Sequence, residues 1–144
     1  MVDEAELVRK AVEARKLAYA PYSGFSVGAA LLAKDGRIFT GCNVENASYG
    51  LTVCAERVAL FKAVSEGARE FLAIAVACGK GPCAPCGACR QVLYEFAPDL
   101  LVIMADGEGK SWCTKKLSEL LPHGFGAKDL HGPFSQDYND FTKA

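Results

Sequence analysis

The chain has 144 residues, 51% of them hydrophobic, and its 16 basic and 17 acidic side chains leave a formal net charge of −1. This size and hydrophobic content suit one folded domain with its own core and exclude broad disorder. Proteins that bind nucleic acids usually carry a basic patch or stripe, and this near-neutral sequence contains no such block of basic residues. It therefore argues for a small, weakly charged ligand and against a nucleic-acid partner.

The apolar segments are too short to cross a membrane. The longest, SVGAALLA and FLAIAVAC, fall far short of the roughly 20 residues that a span requires. The N-terminal MVDEAELVRK lacks the apolar segment of a signal peptide, so we expect a cytoplasmic protein with no membrane partner. Seven cysteines in a reducing compartment argue against a disulfide framework and favour metal binding or chemistry.

The hydrophobic pattern predicts helices and strands in alternation. Helices are predicted at 3–19, 55–65 and 87–97, with a short helix or turn at 117–126. Strands are predicted at 25–33, 37–44, 70–79 and 99–106, with a further short strand at 110–116. A hairpin followed by β-α-β units indicates an α/β fold, a mixed sheet with helices on both faces. We expect one domain over residues 1–131 and a mobile tail at 132–144.

Two cysteine-containing stretches each come at the start of a predicted helix. TVCAERVAL, residues 52–60, places Cys54 two residues before Glu56. GPCAPCGACRQ, residues 81–91, contains Cys83, Cys86 and Cys89 at steps of three. Helix N-termini favour thiolates, which metal binding requires, and Cys86 and Cys89 should face the same side of a first helical turn.

The number of ligands distinguishes two kinds of zinc site. Cys83 as a fourth ligand would complete a closed structural site, whereas three cysteines leave one position for water. Glu56 beside such a water is a general acid/base arrangement, and a structural site gives it no purpose. The run from Cys83 to Cys89 also resembles an iron–sulfur spacing, but the fourth cysteine of a ferredoxin is missing.

The remaining cysteines and the histidines are interpreted as having no role in the site. Cys42, Cys78 and Cys113 lie in predicted strands and are expected to be inert, partly buried thiols. His123 and His131 come late in the chain and are expected not to bind metal.

The two motifs together resemble a known signature. CAE at 54–56 with PCGAC at 85–89 is similar to the H-x-E and P-C-x-x-C signature of zinc nucleoside and nucleobase deaminases, in a three-cysteine form. That form resembles the small homotetrameric cytidine deaminases, as do YAPYSGFSVGAALL and DGRIFTGCNVENASYG. The resemblance covers roughly residues 5–125.

This resemblance implies both a fold and an activity. The fold is a three-layer α/β/α sandwich with a central mixed five-stranded sheet. The activity is zinc-dependent hydrolytic deamination of cytidine and 2′-deoxycytidine to uridine and 2′-deoxyuridine, with release of ammonia, in pyrimidine salvage. One zinc ion per chain and a homotetramer with shared active sites are implied as well.

The resemblance also implies a role for each matching residue. Glu56 is the expected proton shuttle, and Arg57 the expected donor to the thiolates. Three thiolates leave the zinc centre with a net negative charge, which Arg57 would offset so that a bound water stays acidic. The expected zinc ligands are Cys54, Cys86 and Cys89. Substrate-binding roles are implied for Phe25 at the pyrimidine, Asn43 and Glu45 at the ribose hydroxyls, Ala55, and Ala47, Tyr49 and Phe125 in neighbouring subunits' pockets.

Other interpretations stay open at this level. A related deaminase acting on blasticidin S would share the motifs, although NVENASYG favours a ribose-reading loop. A non-enzymatic zinc-binding module predicts bound zinc without ammonia release. A polynucleotide editor requires a basic groove that the charge does not supply. Apart from the resemblance, Asn43 and Glu45 read as turn residues, and Phe25 and Phe125 as core aromatics.

Overall fold

Five strands and five α-helices occupy residues 1–131, the part of the chain that the computed structural model describes. The strands are β1 Val27–Ala33, β2 Ile38–Cys42, β3 Phe71–Cys78, β4 Leu101–Ala105 and β5 Trp112–Lys116. The helices are α1 Glu4–Arg15, α2 Ala55–Ser65, α3 Gly87–Phe96, α4 Leu117–Leu120 and α5 Ala127–His131. The tail predicted at 132–144 lies outside the described residues.

The strands form one sheet in the order β2-β1-β3-β4-β5. Strands β3 and β4 are parallel, and every other neighbouring pair is antiparallel. Helix α3 is the crossover that a parallel pair requires. The predicted mixed five-stranded sheet is therefore confirmed.

Helices cover both faces of this sheet. On one face Leu7 and Ala11 of α1 pack with Ala30 and Ala75 of the sheet. On the other face, side chains of α2 and α3 such as Leu60 and Leu93 share a larger core with the sheet. The three layers agree with the predicted α/β/α sandwich. No helix among residues 1–131 is long and apolar enough to cross a bilayer.

Gly41 lets α2 approach the sheet closely. A Cβ atom at this position would lie 2.5 Å from the Ala55 carbonyl oxygen and 2.6 Å from the Ala59 nitrogen. Both are backbone atoms, so a larger residue would push the helix away. The absence of a side chain at Gly41 thus allows the start of α2 to lie against the sheet, and Cys54 precedes the first residue of this helix.

The structure differs from the predicted elements mainly at their ends. Helix α1 ends at Arg15, because the chain then turns so that the Tyr19 N–H donates to the Asn43 carbonyl at 3.0 Å. Strand β1 begins only at Val27, since the preceding residues form a loop. The short helix α5 was not predicted, and the Asp129 carboxylate accepts a hydrogen bond from the Gly126 N–H at its start.

Candidate metal centre and active site

Two helix N-termini bring the predicted zinc ligands together. Cys54 is the N-cap of α2, Cys86 is the N-cap of α3, and Cys89 lies in the first turn of α3. Their three Sγ atoms all lie within 4.8 Å of one another. The Cys54 and Cys86 sulfurs are 3.8 Å apart. A tetrahedral site with Zn–S bonds of about 2.3 Å has sulfur–sulfur edges of roughly 3.8 Å, so the three thiols fit zinc.

Cys83 does not belong to this cluster. It is buried and forms a disulfide with Cys78, the last residue of β3. The Cα atoms are 5.4 Å apart, within the usual disulfide range. This pairing is incompatible with a four-cysteine zinc site. Among residues 1–131, the three cysteines are the one group of three His, Cys, Asp or Glu side chains placed to hold a metal ion.

The expectation of inert, partly buried thiols is wrong for Cys78 and for Cys113. Cys78 is in the disulfide, because Gly79, with a positive φ of 52°, turns the chain so that the loop folds back over the end of β3. Cys113 is exposed on the edge strand β5. Cys42 is a partly buried free thiol, as expected.

Arg57 contacts the cluster directly. Its Nη2 donates to the Cys54 sulfur at 3.4 Å, and this hydrogen bond raises the pKa of the guanidinium further. Its Nε is buried and has no hydrogen-bond partner within the described residues. The bond to Cys54 supports the expected role of Arg57, because a charged donor stabilises negative charge on a thiolate.

The thiols are poised unequally for deprotonation. A hydrogen bond with Cys89 lowers the pKa of Cys54 to about 5, against the effect of burial, and Arg57 lowers it further. The same hydrogen bond and burial raise the pKa of Cys89. The Cys54–Cys89 pair therefore favours the thiolate at Cys54, and metal binding would release the proton that the pair retains.

Glu56 lies in the first turn of α2, directly after Ala55, and only 4% of it is exposed. Burial raises its pKa to about 7, and the negative charge of Cys54 adds to the effect. A carboxyl group with a pKa near the working pH both accepts and donates protons readily. The position and the pKa suit the predicted proton shuttle.

Asn43 is buried and holds the backbone on both sides of Ser26. Its Oδ1 accepts from the Val27 N–H at 2.9 Å, and its Nδ2 donates to the Phe25 carbonyl at 2.8 Å. A carboxamide has two N–H donors and two acceptor lone pairs. One donor and one lone pair of Asn43 are thus not used by these two hydrogen bonds.

Glu45 fastens the same loop from its other end. Its Oε1 accepts from the N–H groups of Tyr22 and Ser23 at 2.9 and 3.1 Å, and Ser23 Oγ donates to its Oε2. These bonds, led by the one from Ser23, lower the pKa of Glu45. Ser23 Oγ also accepts from the Phe25 N–H at 3.0 Å. Sequence reasoning missed Ser23, for which the turn signal of the following Gly24 was the available clue.

The aromatic residues with implied roles are on the surface of the chain and not in its core. Phe25 is 50% exposed, Phe125 57% and Tyr49 75%. The Phe25 ring passes over Gly79, where an added Cβ would lie 3.4 Å from it. Tyr49 is in a short 3-10 turn with its ring 5.8 Å from that of Tyr22. The interpretation of Phe25 and Phe125 as core aromatics is therefore wrong.

The other predicted pocket residues are placed differently. Ala47 is exposed, whereas Ala55 is fully buried at the start of α2. Gln91 of α3 donates from Nε2 to the Phe125 carbonyl at 2.8 Å, so the segment after α4 is attached to the helix that carries Cys89. Gln91 was not singled out from the sequence, because a contact across 34 residues leaves no local pattern.

The sequence and the fold are similar to those of known proteins. Residues 1–105 match the family model described as "Cytidine and deoxycytidylate deaminase zinc-binding region". A cytidine deaminase from Halalkalibacterium halodurans is 53% identical over 132 residues, which cover 90% of this chain and 99% of that protein. The crystal structure of cytidine deaminase from Burkholderia pseudomallei is similar with a TM-score of 0.81 at 52% identity, covering 87% of this chain and 100% of the other. For the cytidine deaminase structure from Mycobacterium tuberculosis the TM-score is 0.77 at 44% identity, over 88% and 99%. The chain belongs to the cytidine and deoxycytidylate deaminase family.

Proposed function

We propose that the protein is a zinc-dependent cytidine deaminase, which hydrolyses cytidine and 2′-deoxycytidine to uridine and 2′-deoxyuridine and releases ammonia. The observation that carries this proposal is the placement of Glu56, buried and with a pKa of about 7, two residues from a thiol in a three-cysteine cluster with zinc-like spacing. A structural zinc site has no use for a buried carboxyl group of this kind.

The proposed reaction uses Glu56 as the group that moves protons. Cys54, Cys86 and Cys89 would hold zinc, which supplies a water molecule whose pKa is lowered toward about 7. Glu56 takes a proton from the attacking water and gives it to N3 of cytosine as the oxygen bonds to C4. Glu56 then takes the proton of the new C4 hydroxyl and gives it to the amino group. The C4–N bond breaks as the C4=O double bond forms, and ammonia leaves the uracil product.

The loop of residues 20–26, which precedes β1 and carries Phe25, is the proposed nucleoside-binding element. Phe25 would pack against the pyrimidine ring, which its exposed position allows. Asn43 and Glu45 would bind the ribose hydroxyls with the capacity that their contacts to the loop leave free. Fully buried Ala55 would line the base pocket through its backbone at the helix start. These contacts favour a nucleoside over a free base.

We propose a homotetramer because the single chain leaves three of the implied pocket residues uncovered. Ala47, Tyr49 and Phe125 are exposed here and would be covered in, and complete, the pockets of neighbouring subunits. Phe61 on α2 is also 50% exposed, as expected of an interface helix. We place the enzyme in pyrimidine salvage in the cytoplasm, as the resemblance implies.

The substrate is tested with a panel of cytidine, 2′-deoxycytidine and blasticidin S, following the ultraviolet change of the ring and the ammonia released. The proposal expects turnover of both nucleosides. Turnover of blasticidin S alone would make blasticidin S the substrate in place of the two nucleosides. Zinc-loaded protein that turns over none of the three compounds would favour a non-enzymatic zinc-binding module.

A further inference from the structure

Arg90 follows Cys89 on α3 and binds two backbone carbonyls. Its Nε donates to the Pro85 carbonyl at 2.7 Å, and its Nη1 donates to the Leu120 carbonyl at 2.7 Å. Pro85 immediately precedes Cys86, and Leu120 is the last residue of α4. The half-buried guanidinium therefore joins the loop before α3 to a distant helix.

The loop that ends at Cys86 is held at Cys83 by the disulfide with Cys78, and Arg90 restrains its last part, from Pro85 to Cys86. Residues 79–86 contain no regular secondary structure, and Cys86 itself is exposed. Cys86 also precedes the first residue of α3, so its peptide is outside the helical hydrogen-bond ladder on the Pro85 side. Hydrogen bonds from a charged donor are roughly twice as strong as neutral ones, so the bond from Arg90 is a strong restraint there.

We propose that Arg90 is a positioning residue for the metal centre. By holding the Pro85 carbonyl, it fixes the Cys86 peptide and keeps the Cys86 sulfur 3.8 Å from that of Cys54. Its role differs from that of Arg57, which donates to the Cys54 sulfur itself. The inference rests on the proposed zinc site, and the test distinguishes a failure of the zinc site from a failure of the role of Arg90.

The test measures the rate at which zinc-loaded protein releases zinc to a chromogenic chelator, alongside the melting temperature. Arg90→Ala should release zinc about 10-fold faster than the unmodified protein, the low end of the loss in metal affinity when a direct partner of a ligand is removed, because Arg90 acts through Pro85. Arg90→Lys should fall between them, since a lysine cannot reproduce the fixed fork of donors.

Arg69→Ala is the matched control. Arg69 is also half-buried, and its Nη1 donates to two backbone carbonyls, those of Val64 and Ala68, at 2.7 and 3.0 Å. It lies after α2, outside the zinc-binding loop. We expect a lower melting temperature for Arg69→Ala with zinc release at the unmodified rate.

Equal zinc-release rates for Arg90→Ala and Arg69→Ala would overturn the inference and make Arg90 merely structural. If Arg90→Ala does not fold, Arg90→Lys decides, and release at the unmodified rate has the same meaning. Unmodified protein that takes up no zinc would remove the metal centre and this inference together, an outcome distinct from a failure of Arg90 alone.

Discussion

The sulfur atoms of Cys54 and Cys86 lie 3.8 Å apart although 32 residues separate them in the chain. They meet because α2 and α3 pack on the same face of the sheet and each begins at one of these cysteines. Two helix N-termini then direct their positive ends at one point, which stabilises thiolates before any cation arrives. The fold thus assembles a metal centre at a position set by packing.

Glu56→Gln is expected to lower kcat for cytidine by about 10²–10⁴-fold, the usual contribution of general acid–base catalysis. An amide keeps the shape of the side chain but cannot shuttle protons. Zinc content should stay at that of the unmodified protein. Glu66→Gln, an exposed glutamate at the other end of α2, serves as the control and should not change kcat. Turnover by Glu56→Gln within tenfold of the unmodified rate would remove Glu56 from the mechanism.

Ser23→Ala is expected to raise KM for cytidine by about tenfold, with a smaller effect on kcat. The substitution removes the donor to Glu45 and the acceptor for the Phe25 N–H, so both proposed substrate contacts lose a support. Steady-state kinetics measures the split. Ser65→Ala removes a hydroxyl that donates to the Lys62 carbonyl, remote from this loop, and should leave KM unchanged. A KM equal to that of the control would mean that the loop holds its shape without Ser23.

Gly41→Ala is expected to reduce the free energy of unfolding by about 1–3 kcal/mol, the range for overpacking. The added methyl group would meet the Ala55 and Ala59 backbone, which yields only if α2 moves. Urea denaturation provides the measurement. Gly50→Ala meets no atom within 4 Å and is the control. Equal stability of the two variants would show that α2 does not depend on this close approach.

Thiol counting tests the Cys78–Cys83 pair. Protein purified without reductant and then denatured with a chelator should expose five alkylatable thiols, the number of free cysteines, and all seven after reduction. Cys83→Ser should expose six thiols with or without reductant and still bind one zinc per chain, because Cys83 is outside the metal cluster. Seven thiols before reduction would exclude the disulfide, and loss of zinc in Cys83→Ser would place Cys83 among the ligands.

Local patterns predicted the element order and the cysteine cluster well, because each depends on short-range spacing. Cys86 and Cys89 are one helical turn apart, and Cys54 is two residues before Glu56 in the chain. Contacts that depend on how the chain folds back on itself leave no such local pattern in the sequence. The Cys78–Cys83 pair depends on a loop folding back, and the Arg90 bond to Leu120 spans 30 residues.

Removal and return of zinc tests the central claim most directly. Cytidine turnover and zinc per chain are measured on the same sample before chelation, after chelation and after addition of one equivalent of zinc. We expect turnover to disappear with the metal and to return in proportion to the zinc bound at Cys54, Cys86 and Cys89. Full cytidine turnover by metal-free protein, or bound zinc without turnover of cytidine or 2′-deoxycytidine, would contradict the account.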